Sequence, residues 1–204
     1  MSRLLVLHAL RLKGFGDNDV VVRTSGLEPN VVDHALAKLQ ADELVRRRDG
    51  RVSGWSLTPG GREEHRRLAG DELAASGAEA AVRDCYGRFL GLNHELLSAC
   101  TDWQLEGGEG PPVEAGRRNS PIERLMIVHE AVLPIADDLA ASLPRFARYG
   151  PRLTNAVDRV RAGEVDWFTK PVLDSYHSVW FELHEDLLAT LGIERGEEPD
   201  GEVR

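Results

Sequence analysis

The sequence has only two cysteines and no long apolar run. No stretch approaches the roughly 20 consecutive apolar residues that a membrane-spanning helix needs, and the N-terminal RLLVLHAL lacks the small-residue cleavage site of a signal peptide. Cys85 and Cys100 are too far apart for a disulfide if they lie on one continuous helix, where 15 residues span roughly 22 Å. We therefore expect two buried free thiols in a reducing cytoplasm and no membrane partner.

Motifs of the common catalytic sites are also absent from the sequence. No glycine-rich segment has the strand and helix context of a phosphate-binding loop, and there is no nucleophile elbow. The segments HEAVL and HEDLL lack the second histidine of a zinc-protease helix. The sequence therefore predicts a protein that is not an enzyme and that needs no cofactor.

Charge is distributed unevenly along a chain whose net charge is −9. Residues 1–70 carry 12 Lys+Arg against 9 Asp+Glu, a net charge of +3, whereas residues 71–204 carry 13 against 25, a net charge of −12. This contrast indicates two parts with different partners. We expect an N-terminal domain over 1–75, a helical domain over 76–191 and a disordered tail over 192–204.

Helix start and stop signals divide the N-terminal part into short helices. Gly14 ends the first predicted helix, Asp17 caps the second, Gly26 closes it, and Pro29 suits the first turn of the third. In the third helix the apolar residues recur at i, i+4 and i+7 and predict one buried stripe, consisting of Val32, Leu36 and Leu39. The other positions of that helix are therefore expected to lie outside the core.

A two-stranded ribbon is predicted directly after the third helix. Asp49-Gly50 is a preferred residue pair for a two-residue hairpin turn. With that turn Arg48 faces Arg51, and alternation places Arg46 on the same face of the ribbon tip. Such arginines either hold nucleic-acid phosphate or keep an exposed strand edge soluble. Thr58 is expected to cap the helix that follows.

The segments LEPNVVDHALAKLQADELVRR and WSLTPGGR resemble winged helix-turn-helix regulators of the MarR type, with the PadR type a close second. In such families a Leu-rich turn ends the third helix, the wing follows at once, and a Leu-Thr-x-x-Gly segment opens the next helix. The resemblance is limited to residues 1–70. Within it, Glu43 stands where a glycine is frequent, and Asp33 is an acidic residue on the helix that should enter a DNA groove.

The resemblance implies a mainly α fold, in which a winged helix-turn-helix with a two-stranded wing precedes an all-α C-terminal domain. It also implies that helix 29–42 is a recognition helix in the major groove of double-stranded DNA and that the wing contacts phosphate or the minor groove. The implied DNA contacts are Asn30, Val31, His34 and Lys38 on the helix and Arg46, Arg48 and Arg51 on the wing. Most such regulators are homodimers, because a two-fold protein matches a palindromic site.

The remaining 134 residues have helical patterns and no convincing strand. Residues 104–120 are rich in glycine and proline and predict a mobile loop, and Pro134 is expected to kink or break the helix that contains it. We interpret the acid pairs Asp137-Asp138 and Glu185-Asp186 as solvated helix faces. A further helix is predicted from Pro171 on, with one apolar stripe made of Val172, Tyr176, Val179, Leu183 and Leu187.

Two kinds of ligand site are conceivable in this helical region. Aromatic rings with a histidine as the polar group suit a pocket for a small organic effector, formed by Tyr176, His177, Trp180 and His184. A core or a dimer interface explains each of these residues more simply. Recurrent His-Glu pairs place His94, His129 and His184 on three helices, where they form either a zinc site in the bundle interior or packed core histidines.

Three functions are compatible with these patterns. The first is a dimeric DNA-binding transcriptional regulator whose helical domain dimerises or senses a small ligand. The second is a winged-helix adaptor that contacts protein instead of DNA, which Asp33 and the modest N-terminal charge favour. The third is a metal-dependent helical enzyme, which rests on the His-Glu pairs alone. Salt-sensitive DNA binding distinguishes the first from the second, and metal analysis tests the third.

Overall fold

A computed structural model describes residues 1–105 and 120–194. The fold is mainly α, as the sequence predicts: three helices and a two-stranded antiparallel hairpin are followed by an all-helical part. The chain divides into two compact units, Met1–Ala75 and a second unit that begins at Ser76. Across the two described ranges, no helix is both long and apolar enough to cross a bilayer.

The N-terminal unit contains four helices and the hairpin. Their bounds are α1 Ser2–Lys13, α2 Asn18–Ser25, α3 Pro29–Ala41, β1 Val45–Arg48, β2 Gly54–Leu57 and α4 Pro59–Ser76. Asp17 caps α2 by accepting a hydrogen bond from the Val20 backbone N–H at 2.8 Å. Thr58 caps α4 by accepting from the Gly61 N–H at 3.0 Å. The predicted caps at these two residues are therefore confirmed.

The core of this unit lies between the first three helices and the hairpin. The predicted stripe of α3 is buried, with Val32 and Leu36 fully inaccessible and Leu39 1% exposed. A hydrogen bond of 2.9 Å joins the buried rings of His8 on α1 and His65 on α4. The buried cluster consists of Val6, Leu7, Ala9, Leu10, Val21, Val32, Ala35, Leu36, Leu39, Val45, Trp55 and Leu57.

The hairpin has a different register from the predicted one. Arg48 pairs with Gly54, so residues 49–53 form a five-residue connection between the strands. Arg51 lies in this connection and does not pair with Arg48. The predicted two-residue turn, with these two arginines opposite each other, is therefore wrong.

Contacts with the segment between α1 and α2 explain the observed register. The Trp55 backbone exchanges two hydrogen bonds with Gly16, at 2.7 Å and 3.1 Å, so Gly16 lies beside β2 like a third strand. The Phe15 ring lies over Gly54, where an added Cβ would come within 2.6 Å of Phe15 Cζ. These contacts depend on residues far away in the sequence, which a local turn rule does not include.

The turn between α3 and β1 has a left-handed backbone at Glu43. Its φ of 59° is the only positive φ of a non-glycine residue in the described part of the chain. The conformation lets the Leu44 N–H bond back to the Leu39 carbonyl at 2.9 Å, which closes the end of α3. Glycine adopts this conformation without the steric penalty of a Cβ, so Glu43 holds a backbone conformation that favours glycine.

Replacing Glu43 with glycine is expected to stabilise the protein by about 0.5–1 kcal/mol. The left-handed conformation destabilises the folded state by roughly 1–2 kcal/mol when the residue is not glycine. Substituting glycine removes this penalty, but the larger conformational entropy of glycine in the unfolded chain cancels about half of the stabilisation. Glu43→Ala is the matched control, because it removes the carboxylate and keeps the Cβ. Urea denaturation of the three proteins measures the difference, and equal stability of the glycine and alanine variants would contradict the strain.

The second unit is built from helices throughout its described part. Their bounds are α5 Glu79–Leu105, α6 Pro121–Ser142, a 3-10 helix Pro144–Arg148, α7 Tyr149–Arg161, α8 Asp166–Thr169 and α9 Tyr176–Leu191. Pro134 lies inside α6, and the helix continues for two turns beyond it, so of the two predicted effects, a kink or a break, the break does not occur. Val132 and Ile135 on either side of the proline are buried.

The predicted mobile loop over 104–120 and the tail over 192–204 fall largely outside the described residues. Gln104 is part of the last turn of α5, and Ser120 caps α6 by accepting from the Glu123 N–H at 3.2 Å. Gly192 ends α9 in the left-handed conformation. Val172 precedes α9 and is 83% exposed, so it does not belong to the predicted stripe, of which Tyr176, Val179, Leu183 and Leu187 are fully buried.

Aromatic rings and aliphatic side chains form the core of the second unit. Trp180 stacks on Phe89 with ring centroids 4.5 Å apart, and its indole N–H donates to the Asn93 side-chain oxygen at 2.8 Å. Cys85 and Cys100 are buried free thiols on α5. Burial raises the pKa of Cys100 to about 12. This thiol therefore acts as a packed apolar group at neutral pH.

Asp186 is buried, so its interpretation as a solvated acid is wrong. It is 1% exposed and accepts hydrogen bonds from the Arg145 guanidinium and from the Tyr149 hydroxyl, the latter at 2.7 Å. Burial and the Asp186 charge raise the pKa of Tyr149 well above its ordinary value, so this hydroxyl stays protonated as a donor. Arg145 also donates to the Thr190 hydroxyl at 2.7 Å.

A second buried acid lies one turn earlier on α9. Glu182 is 5% exposed and accepts hydrogen bonds from Arg148 and from Arg152, the latter at 2.8 Å. The three arginines at 145, 148 and 152 follow i, i+3, i+7 spacing, which places them on one helical face. Glu182 and Asp186 are therefore buried partners of these three arginines.

Candidate nucleic-acid interface

The face of α3 that points away from the core carries the four residues predicted to reach base edges. Asn30, Val31, His34 and Lys38 are all exposed, Val31 at 37%. Their exposure follows from helical periodicity, because the residues buried on the opposite face are spaced at i, i+4 and i+7. The side chains offer an amide, an imidazole and an ammonium group on one solvent-facing surface.

Asp33, the acidic residue on α3, is held by a hydrogen-bonded chain. The Trp55 indole N–H donates to the Asn18 side-chain oxygen at 2.7 Å, and the Asn18 amide donates to Asp33 Oδ1 at 2.5 Å. The two hydrogen bonds connect β2 to the start of α2 and the start of α2 to α3. Sequence reasoning missed Asn18, because its two partners are 15 and 37 residues away.

The four hairpin arginines differ in how they are bound. Arg47 lies over the Trp55 ring at 5.5 Å and pairs with Asp49 at 2.9 Å, so its charge is neutralised locally. Arg46 donates to the Ser56 hydroxyl at 3.3 Å and stays exposed. The side chains of Arg48 and Arg51 are exposed and have no hydrogen-bond or ion-pair partner within the described ranges. These two are the cations of the hairpin that are free to bind an anion.

A groove of about 500 Å³ runs along one flank of α3, next to the first turn of α1. Its lining consists of Ser2, Arg3, Asn30, Val31, His34, Ala35, Lys38 and Leu39. Arg3 pairs with Asp42 at 2.6 Å and with Glu64 at 3.1 Å, and the hydrogen bond to Asp42 raises its pKa. The hydrogen bond from Arg67 is the main cause that lowers the pKa of Glu64. The charge of Arg3 on the α1 side of the groove is therefore already neutralised by Asp42 and Glu64.

The predicted effector residues of the second unit lie in or beside its core. Tyr176, Trp180 and His184 are at most 4% exposed, and each ring contacts another aromatic ring. His177 is half-buried, and burial lowers its pKa. The described residues around them form a packed aromatic core.

The three histidines considered for a metal site are placed differently from one another. His94 is exposed on α5, whereas His129 on α6 and His184 on α9 are buried. The His129 ring meets the Tyr176 ring edge-on at 5.8 Å, and burial lowers the pKa of His129. Among the residues that the structure describes, no group of three or more His, Cys, Asp or Glu side chains could hold a metal ion.

The arrangement on the N-terminal unit suits recognition of an anionic, grooved partner. An exposed helix carries hydrogen-bonding side chains, and a neighbouring hairpin carries two unpaired guanidinium groups. The order of helices followed by the antiparallel hairpin is compatible with a winged-helix motif. Comparison of the chain with protein-family models, with curated proteins and with solved structures gave no match in any of the three.

Proposed function

We propose that the chain is a DNA-binding transcriptional regulator of a winged helix-turn-helix type resembling the MarR and PadR regulators. The observation that carries the proposal is the pairing of two exposed surfaces on one unit. One is the α3 face with Asn30, His34 and Lys38, and the other is the hairpin with the unpaired Arg48 and Arg51.

In the proposed complex α3 lies in the major groove, where an α-helix fits and base edges are accessible. Asn30 pairs with adenine through two hydrogen bonds, and Lys38 donates to guanine. Asp33 is suited to accept from the amino group of cytosine, while Asn18 fixes its direction. The hairpin arginines contact phosphate or a narrow minor groove beside the recognition helix.

Because the net charge of the protein is negative, DNA binding must depend on a few local contacts with phosphate. The whole chain carries −9, and residues 1–70 carry only +3, so long-range attraction to a duplex is weak. Arg47 is neutralised by Asp49, which leaves Arg46, Arg48 and Arg51 as the cations of the hairpin. Each phosphate contact in such an interface releases condensed counterions, which makes the affinity depend on salt.

The second unit has two proposed roles, dimerisation and the sensing of a small ligand. A homodimer with two-fold symmetry presents two recognition helices to the two halves of a palindromic site.

Replacing both Arg48 and Arg51 with alanine should weaken binding to specific and scrambled duplexes alike. Each lost phosphate contact lowers the slope of log affinity against log salt by about one, so the double variant should lose about two. Neither side chain is buried, so the melting temperature should stay within the change expected of surface substitutions. Fluorescence anisotropy with labelled duplexes at several salt concentrations measures the slopes.

The matched control is Arg62→Ala combined with Arg66→Ala. Both residues are exposed on α4 and belong to the same unit, so this variant changes the net charge by the same amount. The control should keep the wild-type slope. If the hairpin variant and the control bind both duplexes as the wild type does, the hairpin is not a DNA contact. A protein-binding adaptor would then describe the N-terminal unit better.

A further inference from the structure

The groove beside α3 has the size and shape of a ligand site. Its volume of about 500 Å³ falls within the roughly 300–1,000 Å³ that is usual for small-molecule pockets. It extends along α3 from Asn30 to Leu39, a distance of roughly 13 Å at 1.5 Å per residue. An elongated ligand of moderate size would therefore fill it better than a compact one.

The lining combines an apolar floor with a single uncommitted cation. Ala35 and Leu39 form the floor and are 9% and 1% exposed, and Val31 adds a half-exposed apolar side chain. The Lys38 ammonium group has no hydrogen-bond or ion-pair partner among the described residues. Arg3 on the opposite edge is already paired with Asp42 and Glu64. The unmatched charge of the groove is therefore that of one ammonium group at the end of an apolar track.

We propose that this groove binds a small organic anion with an extended apolar body, of the class of medium-chain carboxylates. The carboxylate pairs with the Lys38 ammonium, and the alkyl chain lies on Ala35 and Leu39 towards Val31. Asn30 and His34 line the same groove and donate or accept hydrogen bonds at its rim. A neutral alkyl compound would lose the ion pair, and a short anion such as acetate would leave the apolar floor uncovered.

A ligand in this groove covers part of the surface proposed to contact DNA. Asn30, Val31, His34 and Lys38 line the groove and also form the proposed base-reading face. A bound carboxylate neutralises Lys38 and occupies the space that a base edge would enter. Ligand and DNA should therefore exclude each other. This consequence rests on the proposed function, whereas binding of the ligand does not.

Octanoate is the probe that tests the site, with octanamide as its neutral counterpart. Chemical-shift changes of the ¹⁵N-labelled full chain report both affinity and location. Octanoate should shift the amides of residues 31–39 and of the first turn of α1 in a saturable manner. Octanamide, and octanoate with Lys38→Gln, should bind roughly tenfold more weakly, because a charge-assisted contact is lost. From butanoate to octanoate the affinity should rise about fourfold per added methylene group.

Filling the groove provides an independent variant. Ala35→Leu extends a side chain from the floor into the groove and should abolish octanoate binding. Ala37→Leu is the control, because Ala37 is exposed on the same helix and does not line the groove. If Ala35→Leu does not fold, as judged by its thermal melt, Val31→Trp at the rim should block the site instead.

The outcomes separate the ligand site from the proposed function. No saturable shift with octanoate, equal binding of octanamide, or shifts confined to residues outside the groove would overturn the site. Saturable binding at the groove supports it, whatever the protein does with DNA. In anisotropy, octanoate should displace a selected duplex from the wild type, and octanamide at the same concentration should displace much less of it. A protein that binds octanoate in the groove and binds no duplex would remove the regulatory role and leave the site intact.

Discussion

Replacing Asp186 with alanine is expected to lower the free energy of unfolding by about 3–5 kcal/mol, because removing one partner of a buried ion pair leaves the other charge unpaired. Asp186 is 1% exposed, and the side chain of its partner Arg145 is 8% exposed. The substitution also leaves the buried Tyr149 hydroxyl without its acceptor. Urea denaturation followed by far-UV circular dichroism measures the loss.

Asp137→Ala is the matched control for this substitution. Asp137 is an exposed acid on α6, so its removal should change the stability by no more than about 0.5 kcal/mol. A second control replaces both charges, as Arg145→Met with Asp186→Leu, and should recover most of the lost stability because neither partner of this ion pair is left as an unpaired buried charge. If Asp186→Ala costs no more than Asp137→Ala, the carboxylate is not the buried partner that the fold requires.

Gly61→Ala should destabilise the N-terminal unit by about 3 kcal/mol or more. An added Cβ would lie 1.9 Å from the Leu44 backbone oxygen, and backbone cannot move aside as a flexible side chain does. The same oxygen accepts hydrogen bonds from the Thr58 N–H at 3.0 Å and from its hydroxyl at 3.1 Å. The substitution therefore disrupts the junction between the hairpin and α4, and the hairpin should lose its position as well.

Two other glycines of α4 serve as controls for this effect. A Cβ on Gly60 would meet its nearest neighbours at 3.8 Å, and a Cβ on Gly70 would meet nothing within 4 Å. Alanine at either position should therefore leave the protein unchanged or up to about 1 kcal/mol more stable, because alanine favours a helix. Thermal unfolding compares the three variants. Equal melting temperatures for Gly61→Ala and Gly60→Ala would contradict the close packing of Gly61 on Leu44.

Local features of the N-terminal unit could be predicted because their causes are local. Asp17 and Gly26 act within one turn of α2, and the stripe of α3 needs only helical periodicity. The hairpin register could not be predicted in this way. It depends on Gly16 and on Phe15, which approach β2 from 38 or more residues earlier in the chain.

The buried charges of the second unit show a second limit of sequence reasoning. Asp186 follows a Glu and precedes two leucines, so its local sequence is that of a surface acid. The arginines at 145, 148 and 152 share one helical face, and Glu182 and Asp186 share another. The helical spacing of the arginines and of the two acids was the only sequence feature that pointed to buried ion pairs. Nothing in the local sequence indicates that the arginine face contacts the acid face.

The candidate site could be predicted only in part. Periodicity was sufficient to place Asn30, His34 and Lys38 outside the core of α3. Which hairpin arginines are paired and which are free could be read only from the structure, because Arg47 is bound by Asp49 and lies over Trp55. The groove beside α3 does not follow from the sequence pattern, because its α1 edge lies about 30 residues earlier in the chain than its α3 edge.

Selection of bound sites from random-sequence duplexes tests the proposed DNA binding most directly. The full chain and a variant with Asn30→Ala and His34→Ala are compared at low and at moderate salt. The wild type should enrich a palindromic motif with half-sites about one helical turn apart. The variant should retain duplexes at low salt and lose the motif, because base contacts supply the specificity. Failure of the wild type to retain any duplex at low salt, or retention without an enriched sequence, would contradict the proposal.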